Sequence, residues 1–141
     1  MIAPMIKIML VDDNEADIEL TKSTLEEGKI RMDIVTACDG QDALDQLEAA
    51  LSRSQALPDL ILLDLNMPRL DGRGFLSAMR QREELKAIPV VVLTSSDAEQ
   101  DIVKSYKLGA NCYVNKPVGL DEFQKIVRTV EHFWLTVVKL P

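Results

Sequence analysis

Four side chains able to bind metal or phosphate follow four short apolar segments of this 141-residue chain. They are Asp13, Asp64, Thr94 and Lys116, and each comes just past the end of its segment. If the segments are parallel strands of one sheet, their carboxyl ends meet at one edge, where open α/β sheets bind ligands. Acids, a hydroxyl and an ammonium group at that edge suit a divalent cation and a phosphoryl group.

The elements that must position these groups alternate along the chain. Apolar runs are followed by segments of helical period five times over, which predicts a parallel sheet with right-handed crossovers and helices on both faces. Strands are expected at 6–11, 30–36, 60–63, 90–93 and 112–114. Helices are expected at 15–27, 41–51, 73–81, from Ala98 to about Lys107, and after Gly119.

The composition of the predicted elements also orders them. The runs 60–63 and 90–93 contain no polar residue, as expected for strands covered on both faces, whereas 31–36 is partly polar and suits an edge strand. Ser95, Ser96 and Asp97 are candidate caps for the fourth helix, and Gly109 is placed to end it.

Length and charge set the class of protein. We expect one domain over residues 1–141, with a core at about 5–131 and a C-terminal helix extension at 132–141. The net charge of −7 argues against nonspecific binding to nucleic acid or anionic membrane. No apolar run approaches the roughly 20 residues that span a bilayer. The absence of a signal-like start and two cysteines without metal-like spacing favour a cytoplasmic protein.

The acids after the first and third strands predict a metal site. Asp12 and Asp13 could instead serve only as the acidic start of a helix, and Asp64 could belong to a turn. Two acids on neighbouring parallel strands would nevertheless repel unless a cation or a lysine lies between them. Magnesium is the expected cation, because it accepts carboxylate, main-chain carbonyl and water oxygens.

Lys116 precedes Pro117, which fixes the turn after the last strand and is a candidate for a cis peptide bond. A surface lysine is usually only solvated, but one on a rigid turn can reach a phosphoryl oxygen as a point charge. Thr94 could donate a hydrogen bond to the same oxygen, or it could cap the following helix.

These residues, in this order and at these spacings, resemble the receiver domain of two-component response regulators. The resemblance implies an α/β, doubly wound (βα)5 flavodoxin-like three-layer sandwich with a parallel sheet ordered 2-1-3-4-5. Within the family, the chain is most similar to the small stand-alone regulators of cyanobacterial phytochromes. The motifs that carry the resemblance are Leu10–Asp13, Leu63–Pro68 with Asp71-Gly72, Leu93–Ser95 and Asn115–Pro117, and the narrower one adds Asn14, the loop 52–57, 68–72 and 133–135.

The resemblance implies a role for each residue around the metal. Asp64 would accept a phosphoryl group from a phosphohistidine of a sensor histidine kinase, and a phytochrome is the kinase that the narrower resemblance implies. Asp13, Asp64 and the Asn66 main-chain carbonyl would bind Mg²⁺, while Asp12 would act mostly through a bridging water.

Other positions are implied to transmit the signal. Lys116 would pair with the phosphoryl group, Thr94 would hydrogen-bond it, and Tyr113 falls at the switch-aromatic position, although a half-buried strand tyrosine is the plainer interpretation. The changing surface would be the fourth helix, fifth strand and fifth helix, read by a protein target. His132 is expected to be a surface or interface residue.

Three other functions remain alternatives. A phosphatase of the haloacid-dehalogenase type also uses an aspartate after an apolar strand, but Asn66 stands where its second acid is expected. A flavodoxin-like flavin or nucleotide binder lacks support because no glycine-rich turn follows Val11. A pseudo-receiver that has lost phosphorylation is disfavoured because the expected positions are all filled.

The C-terminal segment predicts an assembly. Phe123, Ile126, Val127 and Val130 form a helical stripe sufficient to dock the fifth helix, yet 132–138 adds further apolar residues. We expect a symmetric homodimer on the fourth-helix, fifth-strand, fifth-helix face and this tail, with Phe133 and Trp134 as interface residues. The alternative is a tail that folds back on its own domain.

Overall fold

The computed structural model describes residues 5–28, 30–95, 99–117, 119–137 and 140, and Ser96, Asp97 and Ala98 lie outside them. Five strands alternate with five helices, as the sequence predicted. The strands are β1 Ile6–Val11, β2 Met32–Ala37, β3 Leu60–Leu63, β4 Val90–Thr94 and β5 Cys112–Asn115. The helices are α1 Glu15–Glu26, α2 Gly40–Ser52, α3 Gly72–Arg80, α4 Glu99–Lys107 and α5 Leu120–His132.

All five strands are parallel, in the order β2-β1-β3-β4-β5, which confirms the predicted fold. The edge position predicted for β2 is also confirmed. The central strands β3 and β4 are buried throughout. In the register of the sheet Val11 lies opposite Leu63, so the residues that follow β1 and β3 emerge side by side.

Alternate residues of the strands feed two cores, one on each face of the sheet. Met9, Ile61 and Val92 belong to the core that contains α2 and α3. Ile8, Leu62 and their neighbours belong to the core that contains α1 and α5. This period-two division builds the three-layer sandwich. The helix residues that complete the cores are Leu47, Phe75, Leu76 and Met79 on one face, and Leu25, Phe123, Val127 and Val130 on the other.

Helix ends follow the capping residues. Asp39 accepts a hydrogen bond from the Asp42 amide at 2.8 Å, so α2 begins at Gly40. Gly109 has a φ of +104°, which confirms it as the residue that ends α4. In the part of the chain that is described, no helix combines the length and apolarity needed to cross a bilayer.

A π-helical turn, Phe133–Val137, continues α5. Trp134 and Leu135 pack against the core on the α1 and α5 face, so part of the tail folds back on its own domain. Phe133 remains 49% exposed and meets Trp134 edge-on, with ring centroids 5.8 Å apart. His132 is exposed, as expected.

Candidate functional site at the carboxyl edge of the sheet

The sheet brings the four predicted groups to one edge. Asp12 and Asp13 follow β1, Asp64 follows β3, Thr94 ends β4 and Lys116 follows β5. Main-chain hydrogen bonds fix these ends, because the Asp64 amide donates to Val11 O at 2.9 Å and the Lys116 amide donates to Thr94 O at 2.6 Å. Backbone pairing alone therefore sets where these side chains begin.

Three carboxylates converge at this edge. Asp12, Asp13 and Asp64 each offer an oxygen within 4.8 Å of the others. Asp12 and Asp64 are buried while Asp13 is exposed, so the cluster opens to solvent on one side. An all-oxygen donor set with room for water suits a hard divalent cation such as Mg²⁺. The residues present therefore fit the metal that the sequence predicted.

Lys116 supplies the positive charge inside the cluster. Its Nζ lies 2.8 Å from Asp12, 2.9 Å from Asp17 and 3.6 Å from Asp64, and its side chain is 8% exposed. Burial by itself would lower the pKa of Lys116. The hydrogen bonds to Asp12 and Asp17, together with the charges of Asp12 and Asp64, outweigh burial and raise that pKa above its usual value. Lys116 therefore keeps its positive charge at neutral pH.

At Asp12, unlike at Lys116, burial is the dominant influence on the pKa. Burial raises its pKa to about 6, and the contact with Lys116 and the Asn14 amide at 2.9 Å only partly oppose this. The charge of Asp64 adds to the upward shift. Three nearby acids and one lysine leave an excess of negative charge, which a divalent cation would neutralise.

Asp17 is a site residue that the sequence analysis missed. Its carboxylate binds Lys116, and its amide donates to the Asn14 side chain at 3.1 Å. A signal was present, because Asn14 is a good N-cap and an acid three residues later is typical of a first helical turn. That pattern fixes Asp17 one turn into α1, above the carboxyl edge of the sheet.

The loop after β3 is held close to Asp64. The Gly72 amide donates to Leu65 O at 2.9 Å, and a Cβ at Gly72 would lie 2.5 Å from the Asp64 carbonyl oxygen. Only glycine allows this approach. Asn66 lies in this loop, and its amide is 3.4 Å from Asp64 Oδ1.

Thr94 and Tyr113, the predicted switch residues, lie on the neighbouring strands β4 and β5. Thr94 is fully buried at the end of β4. Tyr113 is half-buried against the α2 and α3 core, and its amide donates to the hydroxyl of Tyr106 at 3.1 Å. Tyr106, which the sequence analysis did not single out, therefore links α4 to β5.

The candidate cis bond at Pro117 is corrected by the structure. No peptide bond among the described residues is cis, so the bond from Lys116 to Pro117 is trans. An X–Pro bond costs little in either form, and residue type alone does not choose between them.

Comparison with known proteins places the chain in one family. Residues 8–128 match the model of the response regulator receiver domain, and the chain belongs to this family of two-component signalling proteins. This confirms the family that the motifs at Asp12-Asp13, Asp64 and Lys116 indicated.

The narrower resemblance is also supported by individual proteins. Response regulator Rcp1 of Synechocystis sp. is 42% identical over 135 residues, which are 95% of this chain and 92% of that protein. The phosphorylated cyanobacterial phytochrome response regulator RcpA has a TM-score of 0.88 at 42% identity, covering 98% of this chain and 99% of that chain. The Mn²⁺-bound form of Rcp1 has a TM-score of 0.90 at 41% identity, with the same coverage.

Proposed function

We propose that this protein is a stand-alone response regulator that accepts a phosphoryl group from a sensor histidine kinase onto Asp64. The observation that carries the proposal is the convergence of Asp12, Asp13 and Asp64 within 4.8 Å, with Lys116 3.6 Å from Asp64. A carboxylate attacking phosphorus needs positioning and charge neutralisation more than an acid–base catalyst. The site supplies both.

The metal-binding roles follow from the donor set. Asp13, Asp64 and the Asn66 carbonyl would hold Mg²⁺ directly, with Asp12 acting through a bridging water. The ion would neutralise charge on the phosphoryl oxygens. Asp64 would attack phosphorus as the phosphorus–nitrogen bond of the phosphohistidine breaks, leaving an acyl phosphate on Asp64 and a free imidazole on the kinase.

Lys116 and Thr94 would act on the phosphoryl group once it is attached. The lysine would move from Asp12 and Asp17 toward the new charge, since its Nζ already lies 3.6 Å from Asp64. Thr94 would hydrogen-bond a phosphoryl oxygen, and Tyr113 would enter the space that it leaves. The added charge of about −1.5 to −2 biases such a two-state element.

Signalling would follow from the surface of α4, β5 and α5. Tyr113 would join the site to this surface, and this is supported by its place on β5 and by the hydrogen bond from its amide to Tyr106 of α4. We propose that a downstream protein recognises this surface. The chain would catalyse only its own phosphorylation and dephosphorylation, and it would bind no nucleic acid directly, in keeping with its net charge of −7.

The kinase is proposed to be a phytochrome. The support is the similarity, at 42% identity over nearly the whole chain, to a protein described as a cyanobacterial phytochrome response regulator. Because a histidine kinase draws its phosphoryl group from ATP, the proposal includes a cytoplasmic location.

A homodimer is proposed on the same surface. An apolar cleft of about 200 Å³ lies between β5, α5 and the tail, and exposed Phe133 forms part of its rim. Trp134 contributes to the cleft wall while it packs on its own domain. Phe133 of a second copy is the proposed occupant, since it is the exposed aromatic residue of this wall.

The test of the proposed function is phosphorylation with acetyl phosphate and Mg²⁺. Intact mass spectrometry should show one added phosphoryl group that hydroxylamine removes, and Asp64→Asn should abolish it. Asp59→Asn, on a different edge of the sheet, is the matched control and should retain it. Phosphorylation that persists in Asp64→Asn would refute the assignment. Phosphotransfer from a panel of sensor kinases, including phytochromes, then identifies the kinase.

A further inference from the structure

The β3–α3 loop is fastened to the start of α2 by contacts that lie outside the metal site. The Gly40 amide donates to Leu70 O at 2.8 Å, and a Cβ at Gly40 would lie only 2.4 Å from that oxygen. One residue earlier in each segment, Arg69 donates two hydrogen bonds to Asp39, at 2.7 Å from Nε and 3.0 Å from Nη2. The loop is therefore tied by main chain and by a bidentate ion pair.

Arg69 occupies a backbone position that does not favour arginine. Its φ of +61° lies in the left-handed region, where glycine and asparagine are the inexpensive choices. The Arg69 side chain is 59% exposed, whereas the side chain of Asp39, which it binds, is 5% exposed. The backbone thus gives no reason for arginine here, and the side chain is explained by its fork-shaped contact with a buried acid.

Asp39 is itself fixed from the other side. Its carboxylate accepts from the Asp42 amide at 2.8 Å and caps α2. Arg69 therefore binds a carboxylate that is held in place by its role as the N-cap of α2. Such a partner gives the loop a rigid reference point, which a mobile surface acid would not.

The loop held in this way contains Asn66, whose main-chain carbonyl is a proposed ligand of Mg²⁺. Asn66 lies two residues after Asp64 and three before Arg69, and Gly72 closes the loop on the Asp64 backbone. A main-chain carbonyl can serve as a metal ligand only if its loop holds it in place, because Mg²⁺ demands near-ideal octahedral geometry.

We infer that Arg69 and Asp39 are positioning residues for the metal-dependent chemistry of Asp64. Their ion pair holds the β3–α3 loop so that the Asn66 carbonyl is presented to the cation. The inference rests on the proposed function, since it assigns a means of positioning to the same site. Neither residue belongs to the cluster of Asp12, Asp13 and Asp64.

A second ion pair of α2 provides a matched control. Arg82 binds Glu48, further along the same helix, and the two side chains are 39% and 47% exposed. This pair ties α2 to the segment after α3 and has no connection with the β3–α3 loop. Loss of either pair removes an arginine contact to α2, but only loss of the Arg69 pair releases the loop.

The experiment compares Arg69→Asn with Arg82→Asn in the full chain. Asparagine tolerates the positive φ, so the turn keeps its backbone while the ion pair is lost. Isothermal titration with Mg²⁺ should show affinity roughly tenfold lower for Arg69→Asn and unchanged for Arg82→Asn. In metal-free protein, amide hydrogen exchange over residues 65–71 should accelerate only in Arg69→Asn. Arg69→Lys, which keeps the charge without the fork, should fall between.

The outcomes separate the inference from the function beneath it. Suppose that wild type binds Mg²⁺. If Arg69→Asn then binds Mg²⁺ equally well, or shows no faster amide exchange in the loop, the positioning role is overturned and the proposed function is not. Equal loss of affinity in Arg82→Asn also overturns the positioning role, because general destabilisation would then be the cause. Wild type that binds no Mg²⁺ and accepts no phosphoryl group overturns the proposed function and this inference together.

Discussion

Lys116 Nζ lies 2.8 Å from Asp12 Oδ2, although β5 and β1 are separated in the sheet by β4 and β3. The lysine therefore reaches across two strand ends and is closer to Asp12 than to Asp64, which stands at 3.6 Å. Lys116 neutralises only part of the negative charge of the acidic cluster. A bound cation and an incoming phosphoryl group would each change which partner the lysine prefers.

Lys116→Ala should separate metal binding from signalling. Removal of the ammonium leaves buried acids unpaired and should lower the metal-free unfolding free energy by about 3 kcal/mol. Mg²⁺ affinity should not fall, because the lysine competes with the cation for Asp12. The phosphorylation-dependent change in the environment of Tyr113, followed by NMR, should be lost. A change of wild-type size in this variant would contradict the role given to Lys116.

Asp13→Ala should weaken Mg²⁺ binding by roughly tenfold or more. Loss of a residue that only supports a metal ligand already has an effect of this size, and Asp13 is a proposed ligand itself. The matched variant is Asp33→Ala, an exposed acid on β2 that lies outside the cluster. Titration calorimetry at constant ionic strength distinguishes them. Equal losses would mean that overall negative charge, and not a defined site, attracts the cation.

Gly72→Ala should disturb the phosphoacceptor through its backbone. The added Cβ would lie 2.5 Å from the Asp64 carbonyl oxygen, and the forced shift should cost about 2 kcal/mol and slow phosphorylation. At Gly119 the nearest atom is a flexible Glu122 side chain at 3.7 Å, so Gly119→Ala should cost less than about 1 kcal/mol. Urea unfolding and the rate with acetyl phosphate test both. Similar costs for the two variants would count against a special requirement at position 72.

The ion pair of Asp39 should make stability depend on pH in acid. Hydrogen bonds from Arg69 lower the pKa of Asp39, although burial opposes them. A depressed pKa stabilises the fold above the usual aspartate pKa of about 3.9, and this is lost as pH falls through the folded value. Arg69→Asn should therefore be slightly less stable than wild type near neutral pH, and the difference should be small because the Arg69 side chain is largely exposed.

That difference should shrink below about pH 4, where the Asp39 carboxylate takes up a proton. Urea denaturation of both proteins across this range measures it. A difference that does not change with pH would show that Arg69 acts through packing and not through the charge of Asp39.

Phe133→Ala should weaken the proposed dimer by roughly tenfold or more, since exposed aromatics are frequent interface hot spots. It should cost the monomer little, because Phe133 is 49% exposed. Met5→Ala, at a residue that is 48% exposed and directly precedes β1, is the matched control. Sedimentation at several concentrations, with and without a phosphoryl mimic, provides the test. Wild type that remains monomeric at high micromolar concentration would exclude the dimer.

The order of the strands and helices, and the side chains that follow each strand, can be predicted from local patterns in the chain. Apolar period and helix capping are local properties, and parallel strands necessarily bring their carboxyl ends to one edge. The sequence pattern therefore predicts correctly that Asp13, Asp64, Thr94 and Lys116 lie at this edge. The edge position of β2 could also be predicted, because a strand that carries polar residues is not covered on both faces.

The pairing of these side chains depends on the folded chain and could not be predicted from local patterns. Lys116 contacts Asp12 and Asp17 more closely than Asp64, Arg69 grips Asp39, and Trp134 packs on its own domain. Each pairing joins residues far apart in the chain and depends on side-chain rotamers and on distances across several strands, which no local pattern encodes. The trans bond at Pro117 is of the same kind, because both isomers are accessible to the isolated sequence.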